Sequence, residues 1–114
     1  MAFDAGLVAC VAEAMEPAGT VTHRAMMGGA TLYCDRVVFA IVAADALWFK
    51  ADASSDAEWD AAGCTRFTYD KGEGQVGTMN YRRAPDECYD DADALRRWAA
   101  LGLAAGARGC AKRR

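Results

Sequence analysis

Few residues in this 114-residue chain are of the types that carry chemistry, and their spacing limits what that chemistry could be. One histidine, His23, and five cysteines, Cys10, Cys34, Cys64, Cys88 and Cys110, supply the base and nucleophile types. A Cys–His pair could attack an electrophile if folding brought the two together, since such partners meet in space and not along the chain. The cysteines stand 24, 30, 24 and 22 residues apart. No CxxC unit therefore marks a zinc or redox centre, and an odd number of thiols does not close a small disulfide scaffold. The simpler reading of His23 is an exposed connector residue. Asp90-Asp91 could serve acid–base or metal chemistry, but at the start of a predicted helix they are explained by capping and by the helix dipole. No D-x-D-x-D-G loop is present for calcium. Gly72 to Gly77, GEGQVG, formally matches the dinucleotide fingerprint. That fingerprint needs a helix N-terminus after it to hold pyrophosphate, whereas here a predicted strand follows and Glu73 would repel phosphate. No catalytic set, cofactor or metal is expected.

Charge narrows the partners. The net charge is −3 and the pI about 5.0, with acids clustered over 52–60 and 86–93. A chain that coats nucleic acid normally carries a basic stripe. The basic cluster here is the tail, Arg108 with Lys112, Arg113 and Arg114, which reads as a solvated, frayed end. Direct nucleic-acid contact is accordingly the lesser alternative, with Arg82, Arg83, Lys112, Arg113 and Arg114 as its phosphate-binding candidates. Composition, 54% hydrophobic and 25% charged, is that of an ordinary globular domain. No apolar run reaches the ~18–20 residues needed to span a bilayer. No signal peptide is read at the N-terminus, where Asp4 falls early. A cytoplasmic setting with free thiols is expected, several of them buried as small apolar residues.

The elements that must position these residues follow from periodicity. Residues 3–16 predict a helix capped by Asp4, with Leu7, Val8, Val11 and Met15 on one stripe. Pro17 and Gly19 end it, and 20–24 reads as a connector. Gly28-Gly29 fits a bend at the start of a sheet, where positive φ would be used. Met26 reads as core packing, while Met27 is open to either a core or a contact role. Three short strands follow, over 30–34, 37–43 and 46–50, with tight turns at Asp35-Arg36 and Ala44-Asp45. Strict alternation would place Val37, Phe39 and Ile41 on one face and Val38, Ala40 and Val42 on the other.

Ser55 and Glu58 form a capping-box pattern for a short helix closed by Gly63. Two further strands, 65–69 and 75–81, flank a Gly-rich hairpin. A last helix carries Leu95, Trp98, Ala99 and Gly102 on one stripe, with Leu101 beside it, and Gly106 reads as its stop. Trp48, Trp98 and Phe67 are the large side chains expected to be buried. The order α-β-β-β-α-β-β-α predicts a two-layer α+β domain: an antiparallel five-stranded sheet with helices on one face. One domain is expected over 1–114, with its core over about 3–105 and a basic tail over 106–114.

An ordered set of residues is similar to one family. Arg24-x-Met26-x-Gly28-Gly29-x-x-Leu32-Tyr33-Cys34 is followed by Phe39-Ala40-Ile41-Val42-Ala43 and Leu47-x-x-Lys50. Ala61-Ala62-Gly63, Phe67-Thr68-Tyr69, Met79-x-Tyr81, Pro85-x-Glu87 and Leu95-x-x-Trp98-Ala99 continue it. Together, over roughly Val21 to Leu103, they resemble the N-terminal domain of the TfoX/Sxy family. The chain departs from the usual pattern at Arg36 and Asp45, where turn glycines are common, and at Met27, where Phe is usual. The resemblance implies a two-layer α+β domain like that of secretion chaperones. It also implies a part in regulating natural competence, which longer members carry out with a cyclic-AMP receptor protein and an added C-terminal helical domain.

The expected function is therefore that of a non-enzymatic interaction domain in transcriptional or competence regulation, with a protein as its partner. The candidate contact surface is the sheet edge and the corner formed by Arg24, Met26, Met27, Gly28 and Gly29. A homodimer through the sheet edge or the last helix is compatible with this reading. Direct DNA binding and a small thiol- or His-dependent enzyme are the alternatives.

Overall fold

The computed structural model describes residues 4–26 and 29–112. The chain runs α1 (Ala5–Ala14), β1 (Val21–Met26), β2 (Gly29–Cys34), β3 (Val37–Ala43), β4 (Ala46–Lys50), α2 (Asp56–Ala61), β5 (Arg66–Gly72), β6 (Gln75–Arg83) and α3 (Ala92–Lys112), with a 3-10 turn at Asp86–Tyr89 before α3. All strand pairings are antiparallel, and the sheet order is β1-β2-β3-β4-β6-β5.

The α+β class and the one-sided helix layer are as expected. The sheet has six strands, however, because the connector read over 20–24 is the start of edge strand β1. It lacked the period-two signal because Thr22, His23, Arg24 and Ala25 are all exposed, and alternation appears in a sequence only where one face is buried. Its pairing with β2 runs from Val21↔Cys34 to Met26↔Gly29.

Tight turns make the meander. Asp35 and Arg36 have φ of 48° and 74°, and Ala44 and Asp45 have 53° and 59°. Two consecutive left-handed residues are what a two-residue hairpin needs to match the strand twist. Asp35 offsets its strain locally: its amide donates to the Thr20 carbonyl at 2.9 Å, and its Oδ1 accepts from the Thr20 amide at 3.0 Å. Glu73 (55°) and Gly74 (78°) turn β5 into β6, so the Gly-rich motif is a hairpin and no helix follows it.

Gly29 does not serve as a positive-φ bend. A Cβ there would lie 2.6 Å from the Val42 carbonyl oxygen, so its role is close approach of β2 to β3. Gly28 and Met27 lie outside the described residues.

Strict alternation also fails in β3. The register slips between Leu32 and Tyr33, which face Ala40 and Val38 and leave Phe39 as the extra residue of a bulge. Phe39, Ala40 and Val42 thus all join the helix-side core, while Ile41 alone of that run joins the opposite side.

Directly over this bulge lies α3. A Cβ on Gly102 would come 2.5 Å from the Phe39 carbonyl oxygen, and one on Gly106 would come 2.0 Å from that of Val38. Gly106 is therefore a contact point and not the helix stop: α3 continues to Lys112, and Arg108 belongs to the helix and not to a frayed tail.

Below the helices, Val8, Val11 and Met15 of α1 meet Leu32, Leu47 and Phe49, with Leu95 and Ala99 of α3. Trp59 of α2 is fully buried between Phe49 (ring centroids 5.8 Å) and Trp98 (5.0 Å). That burial contributes about 2–3 kcal/mol on transfer terms.

Candidate functional site

Several charged side chains on the helix side of the sheet are bound to one another. Arg82, on β6, projects beneath α2 and is 2% exposed. Its guanidinium donates to Asp60 Oδ1 at 2.7 Å, to Asp56 Oδ1 at 3.1 Å, to the Cys64 carbonyl at 3.0 Å and to Asn80 Oδ1 at 3.3 Å. The planar fork explains the choice of arginine, since lysine could not reach these acceptors together. This overturns Arg82 as a nucleic-acid contact: it is the buried tie between β6 and α2. Arg83, the next residue, is exposed on the other face, with its guanidinium carbon 5.8 Å from the centroid of the Trp48 ring. Of the remaining phosphate candidates, Arg113 and Arg114 and the side chain of Lys112 lie outside the described residues.

A second tie joins the start of α2 to the end of α3. Arg108 donates to Asp52 at 2.6 and 2.8 Å. This bonding to Arg108 holds the Asp52 carboxyl at about 2, below the ordinary 3.8. The expected Ser55–Glu58 capping box is displaced by one turn. Ser55 makes no side-chain bond to α2. Instead the Ser55 hydroxyl accepts from the Asp52 amide at 3.1 Å, and Asp52 Oδ1 accepts from the Ser55 amide at 3.2 Å. The reciprocal box is Asp52–Ser55, because Arg108 fixes the Asp52 side chain where it can cap.

Asp4 and Asp91 cap α1 and α3 as expected, Asp4 accepting from Leu7 and Asp91 from Asp93 and Ala94. Glu87 accepts from Trp98 Nε1 at 2.8 Å and from Arg97 at 3.3 Å.

Three of the four described thiols are placed for packing. Cys34, Cys64 and Cys88 are buried, and Cys10 is exposed. Burial raises the Cys34 and Cys64 thiols and pushes Cys88 up to about 12. A catalytic thiol requires the opposite shift. By register the cysteine nearest His23 is Cys34, diagonally across the β1–β2 pair, and Asp35 beside it raises that thiol further. Among the described residues no cluster of three His, Cys, Asp or Glu could hold a metal ion, and no helix is long and apolar enough to cross a membrane.

The face of the sheet away from the helices is different in kind. Ile41, Ala46, Trp48 and Tyr81 form a second cluster, packed by Ala43, Phe67 and Met79, and every member comes from a strand. Trp48 meets Phe67 edge-on at 5.0 Å. Lys50 Nζ lies 5.2 Å from the Tyr81 centroid, and Arg83 flanks Trp48. Through Thr31, which pairs with both Ile41 and Arg24, the register puts Arg24 on this same face. Of the expected corner, Arg24 is thus exposed on the helix-free face while Gly29 is buried; the Met26 side chain is outside the described ones. Sequence reasoning missed the Trp48–Tyr81 cluster, although alternating Ala46, Trp48 and Lys50 against buried Leu47 and Phe49 was its visible trace.

An antiparallel sheet with its helices on one side and a strand-only aromatic cluster on the other defines a two-layer α+β domain with one face that none of the described helices covers. The family model of the TfoX N-terminal domain matches residues 13–106, nearly the whole chain. The chain belongs to that family. Comparison with curated proteins finds no match.

Proposed function

We propose that this chain is a non-enzymatic, cytoplasmic regulatory domain, acting in competence or transcriptional control by binding another protein. The observation that carries this reading is the helix-free face, where aromatic side chains and cations are grouped and, among the described residues, Arg24, Lys50 and Arg83 enter no ion pair. Membership of the TfoX N-terminal domain family supports the regulatory part, because longer TfoX/Sxy proteins regulate DNA uptake; a fold or family alone does not fix a function.

The test places a photo-crosslinking residue at Tyr33, on the helix-free side, and as a control at Ala104, on the outer surface of α3, in the native host. A discrete adduct from position 33 and none from 104 is expected, together with altered transcripts in a strain lacking the chain. Equal diffuse labelling at both positions, with unchanged transcripts, would refute the proposal. Direct DNA binding loses Arg82 to the core but keeps Arg83. Retardation of duplex DNA at low salt by micromolar protein, abolished by Arg83→Glu, would replace protein contact with that alternative.

A further inference from the structure

Charge is divided between the two layers of this acidic protein. The six strands carry Arg24, Lys50, Arg66, Lys71, Arg82 and Arg83, but a single carboxylate, Asp70, whose Oδ1 accepts from the Gly72 amide in the β5–β6 hairpin. The other carboxylates lie in helices, turns and connectors. There Asp52, Asp56, Asp60, Glu87 and Asp93 take up Arg108, Arg82, Arg97 and Arg96. No described ion pair involves Arg24, Lys50 or Arg83. By register these three belong to the helix-free face, Lys50 at its border with α3, where its Cε would lie 3.9 Å from a Cβ on Gly109; Arg24 also lines a shallow depression with Tyr33 and Arg36. Lys50 and Arg83 are supported from beneath by rings, which hold a cation in place without neutralising it.

We infer that this face docks an acidic segment of a partner protein across β1 to β6, with carboxylates meeting Arg24, Lys50 and Arg83 above the strand-packed Ile41–Trp48 cluster. The inference rests on the reading of the chain as a protein-binding domain and adds the chemistry of the partner. Strands lie ~4.8 Å apart, so Arg24 on β1 and Lys50 on β4 are separated by about 14 Å across the sheet, the reach of about four extended residues. The segment that fits therefore carries carboxylates about four residues apart, with a further one a strand beyond for Arg83.

A single-stranded nucleic acid is a poorer occupant for two reasons. Base stacking needs open ring faces, whereas Trp48 and Tyr81 are only 9% and 7% exposed. A continuous polyanion leaving the patch would also meet the acidic helix layer of a chain with net charge −3.

The experiment uses the full chain and a fluorescein-labelled peptide of about twelve residues, with Glu every fourth position, an additional Glu near one end, and Ser and Thr between. Its Gln-substituted counterpart and an oligo-dT of similar length are the comparators. Anisotropy at low salt should show binding of the acidic peptide alone. Combined Lys50→Glu and Arg83→Glu should weaken it at least about tenfold, a change of about 1.4 kcal/mol. Arg24→Glu, whose side chain packs on no ring described here, is the check against misfolding and should weaken binding severalfold with an unchanged circular dichroism spectrum.

Equal binding of the Gln peptide, tighter binding of oligo-dT, binding unchanged by both the Lys50→Glu/Arg83→Glu pair and Arg24→Glu, or no binding of the acidic peptide at about 100 μM would each overturn the inference. If position 33 still forms its specific adduct in the host when the acidic peptide fails, the protein-binding function stands and only this partner chemistry falls.

Discussion

At the scale of single residues, the side chains most able to do chemistry are committed to holding elements together. Arg82 is the strongest case, since its removal leaves the Cys64 carbonyl unsatisfied, takes the cation from Asp60 and leaves Asp56 only the 3.9 Å contact with Arg66. Asp56 and Asp60 remain partly solvated, at 27% and 68% exposure, so the loss is less than for a fully buried pair. Arg82→Met should destabilise the chain by about 2–4 kcal/mol, and Arg82→Lys should recover only part of it, as read by urea unfolding. The Asp52–Arg108 pair makes a pH prediction. The folded carboxyl titrates at about 2 and the unfolded one near 3.8, so its contribution is fully present above that unfolded value and vanishes as pH falls through about 2. With both side chains partly exposed, solvent screening reduces the contribution to roughly 1 kcal/mol. Asp52→Asn should cost that amount at pH 7, and the gap to the parent should close below about pH 2; a constant gap would refute the assignment.

At the scale of elements, the same residue type plays opposite parts within one helix. Gly106 meets the Val38 carbonyl, while a Cβ on Gly109 would have only Lys50 Cε near it, at 3.9 Å. Gly106→Ala should therefore lose more than about 2 kcal/mol through displacement of α3 from β3, whereas Gly109→Ala should gain up to about 1 kcal/mol from helix propensity. Thermal unfolding of the two variants checks the contrast. In the β3–β4 turn, exposed Ala44 holds φ 53° with nothing visible to offset it. Ala44→Gly should stabilise by about 0.5–1 kcal/mol, the relief of left-handed strain less the added freedom of the unfolded chain; a lower melting temperature would contradict this. Gly106 was misread as a stop because a sequence shows a glycine's freedom but not the backbone pressed against it. The two tight turns of the meander were legible from Asp35-Arg36 and Ala44-Asp45 because only their shortness mattered. Edge strand β1 was not, since an exposed strand leaves no alternation to read.

At the scale of the whole molecule, the layer arrangement and the helix-side core were readable from the stripes Val8-Val11-Met15 and Leu95-Ala99, which occur at helical spacing. Trp59 escaped notice as the centre of the aromatic core because its helix is only six residues long, too short for a periodic signature. The division of charge between layers was hidden for a different reason. The strand cations are scattered along the chain between acidic clusters, and only the register of the strands sorts Arg24, Lys50 and Arg83 to one side and Arg82 to the other. A net charge of −3 thus conceals a face of the opposite sign.

The sheet order also has a kinetic consequence. Strands β1 to β4 pair as successive hairpins, and β5 with β6, so each can form from neighbours in sequence; only the β4–β6 junction brings distant segments together. Loop closure over α2 and the β5–β6 hairpin is then the slow step, with the meander as a ready template. Substitutions in the meander turns should change the folding rate with φ-values near one, while Arg82→Met should act chiefly on unfolding, which stopped-flow chevrons would resolve. The guanidinium under α2 would then be the bolt shot after the door has closed.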